Sequence, residues 1–122
     1  MFVGRPNVGD RDALYQRVDT ILDSYWLTND GDYVRELESK LAEYLNVEHC
    51  IAMCNGTVAL ELAVRATGMT GNVLVPAMTF IATAHALQWQ QIRPVFVDID
   101  PHGLNLCPKA AESIIDDETS GM

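Results

Sequence analysis

The apolar positions along the chain change period near its middle. Leu14, Val18, Ile21, Leu22 and Tyr25 recur at helical spacing, and Asp10 or Asp12 stands where a cap belongs. A polar turn follows at residues 26–31. Val34, Leu37, Leu41 and Leu45 then mark a second amphipathic helix, and Asn46 suits its left-handed end. From residue 50 the runs shorten. Cys50-Ile51-Ala52-Met53-Cys54 is uninterrupted and apolar, which predicts a strand covered on both faces. Asn55-Gly56 breaks it, and residues 57–67 read as a helix of small and apolar residues, expected to be buried. Gly68 ends that helix. Val73-Leu74-Val75 predicts a strand closed by Pro76, residues 79–90 a helix, and residues 94–97 a strand stopped by Asp98 and Asp100-Pro101. Pro108 opens a last helix to about Asp116, and residues 117–122 look frayed.

Strand and helix therefore alternate three times after residue 49. That order predicts an α/β chain with a mostly parallel sheet and helical crossovers. Residues 1–48 form an N-terminal helical segment with two apolar stripes suited to a dimer contact, and residues 49–122 form a partial α/β domain. The strand at residues 50–54 is expected to pair with residues 73–75, residues 95–97 or a second chain.

Charge narrows the partners. Eight basic residues against seventeen acidic ones leave a formal net charge of −9. Such a field repels phosphate backbones and anionic lipids, which argues against nucleic acid and membrane surfaces as partners. An anionic ligand would have to be held by local geometry. The 48 % apolar content is enough for a core. Residues 1–6 lack the apolar stretch of a signal peptide, no run approaches a membrane span, and Cys50, Cys54 and Cys107 suit neither a disulfide framework nor a zinc site. A cytoplasmic protein with no metal is expected.

Ligands of parallel α/β sheets collect at the carboxyl ends of the strands, which directs attention to the loops at 55–57, 76–80 and 98–103. Asn55-Gly56-Thr57 joins a predicted strand to a helix. Gly56 permits close backbone approach, the N–H groups of Thr57 and Val58 face the helix entrance, and the Thr57 hydroxyl adds a donor. This is either a phosphate cradle or a plain capped turn. Phe80 is either a core residue or a ring placed to stack on a flat heteroaromatic ligand. His85 reads as a core or interface histidine, and Asp98 and Asp100 as turn formers. Thr28 and Asn29, after Trp26, form a substrate lip or simply a loop.

In order and spacing, Trp26-Leu27-Thr28-Asn29, the helix from Glu38 to Tyr44, Asn55-Gly56-Thr57-Val58-Ala59-Leu60, Val75-Pro76-Ala77-Met78-Thr79-Phe80 and Pro94-Val95-Phe96-Val97-Asp98-Ile99-Asp100 resemble the DegT/DnrJ/EryC1/StrS family. The resemblance implies the N-terminal part of a fold-type I transferase that uses pyridoxal 5'-phosphate. It implies amination of a keto group on a nucleotide-linked sugar, with glutamate as amino donor, and a homodimer. Gly56, Thr57 and Val58 would hold the cofactor phosphate, Phe80 would stack on its ring, and Thr28 and Asn29 would meet the sugar. Where the family commonly has Gly-Pro, this chain has Gly31-Asp32. The Schiff-base lysine and the aspartate that pairs with the pyridine nitrogen are expected beyond Met122, so a fragment without turnover is expected. Lys40 and Lys109 match neither role. A sugar dehydratase of the same family and a non-catalytic nucleotide- or phosphate-binding module are the alternatives.

Overall fold

A computed structural model of the chain describes Gly4 and residues 6–122. The reading of residues 1–6 as lacking a leader therefore falls largely outside the described residues. The chain divides into two compact units, residues 1–52 and 53–122.

The first unit is helical. Helix α1 (Arg11–Ser24) starts where the Asp10 carboxylate accepts from the N–H groups of Asp12 and Ala13, and ends on Tyr25 in the left-handed region, φ 55°. Helix α2 (Asp32–Leu45) ends on Asn46, φ 53°, whose short polar side chain tolerates that conformation. Arg17 pairs with Glu36 at 3.5 Å, and its guanidinium lies 5.2 Å from the Tyr33 ring centre. No residue of either helix is buried, and Leu14, Val18, Leu22, Leu37 and Leu41 stay exposed.

The predicted strand at residues 50–54 is not formed: the segment carries no regular structure and makes no ladder. An apolar run becomes a strand only where an edge accepts it. Here the Ala52 N–H donates instead to Glu38 Oε1 at 2.8 Å.

The second unit carries the sheet. Helix α3 (Gly56–Ala66) leads to β1 (Asn72–Pro76), α4 (Ala82–Trp89), β2 (Arg93–Val97), α5 (Pro108–Glu112) and β3 (Thr119–Gly121). Strand β1 is central, with β2 and β3 parallel to it on either side. Strand period two divides the core. Val73 and Val75 pack with Val64 of α3, Leu87 of α4 and Ile92 on one face. Leu74 packs with Val97 and Ala111 on the other, backed by Val95, Leu106 and Ala110.

Four sequence expectations fail in this unit. Only Val64 of α3 is buried, and Leu60 and Leu62 remain exposed. The helix expected over 79–90 begins at Ala82, and the one after Pro108 stops at Glu112, where the Ser113 hydroxyl turns back to the Ala110 carbonyl. The tail expected to fray is strand β3. It is secured by side-chain bonds: Asn72, 1 % exposed, donates through Nδ2 to Asp116 Oδ1 at 2.8 Å and accepts from the Thr119 hydroxyl at 2.9 Å. The Ser120 hydroxyl donates to the carbonyls of Thr70 and Asn72.

Candidate functional site

The entrance of α3 is built by one residue. Asn55 is extended, φ −166° and ψ 169°, and its Oδ1 accepts from the Val58 N–H at 3.0 Å. The Asn55 carbonyl takes the Ala59 N–H at 3.1 Å. The cap thus occupies Val58, one of the two donors that the sequence reading left free. The open pair is Gly56 and Thr57, whose N–H groups have no acceptor among the described residues. The Thr57 hydroxyl has none either. No acidic side chain sits in the first turn, so nothing there neutralises the partial positive charge of the helix end. A Cβ built on Gly56 would meet nothing within 4 Å. Gly56 therefore answers no crowding from the protein itself, and the space in front of it is open to a ligand.

Topology sets what lies beside this entrance. Helix α3 runs into the turn that starts β1, and Val64 near its far end packs with Val73 and Val75. Its N-terminus therefore points toward the carboxyl end of β1, the end at which parallel α/β sheets collect ligands. Phe80 follows β1 at that same end. Its ring is 77 % exposed, which excludes the core reading, and its carbonyl accepts from Thr83 at the start of α4. Gly56, Thr57, Val58 and Phe80 thus share one end of the sheet. Thr28 and Asn29 belong to the first unit, in the exposed turn between α1 and α2.

The remaining candidates resolve locally. Asp100 Oδ1 accepts from the N–H groups of Gly103 at 2.8 Å and His102 at 2.9 Å. These bonds hold its carboxyl below the ordinary range, as suits a turn former. The Asp98 carbonyl accepts from Cys107. His85 is exposed on α4, not in a core. Sequence reading missed two residues. Asn55 reads from the sequence as a strand breaker, and an asparagine before a helix is also a capping signal. Glu61, one turn into α3 from Thr57, has Oε1 enclosed without a hydrogen-bond partner, and no sequence pattern marks it.

The chain is similar to known proteins. The DegT/DnrJ/EryC1/StrS aminotransferase family model matches residues 9–122. The chain belongs to this family. It is 37 % identical to the dTDP-4-amino-4,6-dideoxy-D-glucose transaminase of Escherichia coli, over 98 % of this chain and 32 % of that protein. Among solved structures it is similar to DesI, determined in the presence of its TDP-sugar product, with a TM-score of 0.86 and 49 % identity over 98 % of this chain and 30 % of that one. It is also similar to the E. coli GDP-4-keto-6-deoxy-D-mannose-3-dehydratase with bound hydrated PLP, with a TM-score of 0.79 and 26 % identity over 93 % of this chain and 31 % of that one. The chain spans about a third of the length of the relatives it matches. The family membership accounts for the α/β fold with its small parallel sheet. Among the described residues no helix is long and apolar enough to cross a membrane.

Proposed function

We propose that the chain supplies the phosphate seat and the sugar lip of a pyridoxal-phosphate-dependent aminotransferase. Its substrate would be a nucleotide-linked keto sugar, with glutamate as amino donor. The observation that carries this reading is the unengaged N–H pair of Gly56 and Thr57. It opens a helix with no acidic first turn, in a chain 49 % identical to a protein solved with a TDP-sugar.

The residues present fit the cofactor. The phosphate would accept from the Gly56 and Thr57 N–H groups and the Thr57 hydroxyl, which hold an anion without lysine or arginine in an acidic protein. The Val58 N–H is already taken by the Asn55 cap and is not counted among these donors. Phe80 offers an exposed face to the ring. Bound pyridoxal phosphate supplies the electron-withdrawing ring that drains charge from the carbon carrying the transferred amine. Thr28 and Asn29 offer a hydroxyl and an amide, groups matched to sugar hydroxyls. Lys40 and Lys109 are exposed and lie at none of these loops, so the reading assigns no catalytic residue within residues 1–122.

The likeness to a dehydratase keeps that sister chemistry as the second reading. The 37 % identity to the E. coli transaminase, against 26 % to the dehydratase, favours the aminotransferase. The exposed apolar faces of α1 and α2 suit a second copy of the chain, and three free thiols suit a cytoplasmic protein.

Comparing pyridoxal phosphate with pyridoxal tests the reading. Binding followed by cofactor fluorescence is expected to be at least about tenfold tighter for the phosphorylated form, the scale of hydrogen bonds to a charged acceptor. Equal affinity for both would remove the phosphate seat from the account.

A further inference from the structure

The turn between α1 and α2 holds a residue in an unfavourable conformation and two side chains that support it. Asp30 has φ 58°, in the left-handed region that non-glycine residues occupy at a cost. Arg35 Nη1 donates to the Asp30 carbonyl at 2.6 Å, and its guanidinium pairs with the Asp30 carboxylate at 3.3 Å and with the Asp32 carboxylate. On the other side, Trp26 Nε1–H donates to the Asn29 carbonyl at 2.9 Å, and the Trp26 N–H is fixed to the Ser24 hydroxyl at 3.2 Å. Two consecutive carbonyls, those of Asn29 and Asp30, are thus gripped by donors from opposite ends of the turn. The Thr28 hydroxyl and the Asn29 side-chain amide, by contrast, have no hydrogen-bond partner among the described residues, and both residues are exposed.

We propose that Trp26 and Arg35 are positioning residues. They hold the 27–31 turn in one conformation and so present the Thr28 and Asn29 side chains, preformed, to the hydroxyl groups of a nucleotide-linked sugar. This rests on the reading of Thr28 and Asn29 as the sugar lip given above. Arg35 is not itself the anion site: two carboxylates already neutralise it, and its fork is spent on the turn. Preorganisation is what such bracing supplies, because a turn already ordered loses less freedom when a ligand arrives.

The geometry also names its own rescue. Asp32 is the first residue of α2, its N–H has no acceptor among the described residues, and Gly31 before it is extended at φ −72°, ψ 164°. Proline is compatible with that first helical position and with an extended residue before it. Asp32→Pro therefore restrains the turn without the ion pair.

The test combines backbone 15N relaxation of residues 27–30 with a titration of the 122-residue chain by dTDP-glucose. The unmodified chain should show order parameters near about 0.85 in the turn, falling below about 0.6 in Trp26→Phe and in Arg35→Ala, with α2 unchanged. Affinity for dTDP-glucose should fall about five- to tenfold in each, the effect of one lost hydrogen bond. Adding Asp32→Pro to Arg35→Ala should recover both order and affinity. A turn that stays rigid in both variants overturns the brace. So does a turn that loosens while affinity holds. If the unmodified chain is ordered there but does not bind dTDP-glucose, the lip reading is what fails, and the positioning role fails with it.

Discussion

At the scale of single residues, the entrance of α3 commits one donor to the fold and leaves two without an acceptor among the described residues. Asn55 takes Val58, and Gly56 and Thr57 are left. Replacing Thr57 with valine keeps the shape and removes the hydroxyl. Thr57→Val should weaken pyridoxal phosphate binding by about 1 kcal/mol, read as a shift in Kd, with pyridoxal unaffected. Asp116 gives a pH prediction. Its carboxyl is held below the ordinary carboxylate range, first by the Asn72 amide and then by the Thr119 hydroxyl. A depressed carboxylate contributes stability that is complete above the ordinary carboxylate range and is lost as the pH falls through the lower folded value. NMR titration should therefore show the Thr119 and Ser120 resonances moving only below the ordinary carboxylate range, and Asn72→Ala should raise that midpoint. An unmoved midpoint would mean the bond is not formed in solution. The sequence marks Gly56 and Thr57 as a phosphate cradle or a plain capped turn, because glycine and threonine suit both. It did not disclose that Val58 is already engaged, because capping depends on a side-chain rotamer. Phe80 stood open between core and surface for the same kind of reason: hydrophobicity alone does not say which loop leaves a ring exposed.

At the scale of elements, periodicity located both amphipathic helices of the first unit and strands β1 and β2 within a few residues. It failed where pairing, not composition, decides. Residues 50–54 have the composition of a buried strand and no partner. Residues 119–121 have the composition of a tail and are a strand, because Asn72, 47 positions earlier, accepts the Thr119 hydroxyl. A local pattern cannot show a contact of that range. Gly71 is the other half of this junction. It has φ 64°, and a Cβ there would lie 2.3 Å from the Glu118 carbonyl oxygen, which also accepts the Asn72 N–H. Gly71→Ala should destabilise the second unit by roughly 2 kcal/mol or more, combining left-handed strain with displaced backbone. Urea unfolding monitored at β3 resonances measures it. A change within about 0.5 kcal/mol, the scale of an ordinary surface substitution, would show that the β1–β3 junction relaxes freely.

At the scale of the whole molecule, the apolar faces of α1 and α2 are larger than scattered surface residues require. Self-association is therefore expected at high micromolar concentration, and light scattering should report a mass above the 13.5 kDa of one chain. A monodisperse monomer would count against these faces as contacts. The central claim is that the α3 entrance, at the carboxyl end of β1, is where the cofactor phosphate sits. The most direct measurement is a 1H–15N titration of the chain with pyridoxal phosphate. The account predicts that the Gly56 and Thr57 amide resonances shift downfield first and furthest, while the capped Val58 amide moves little. The largest shifts appearing elsewhere, with Gly56 and Thr57 unmoved at saturation, would contradict it.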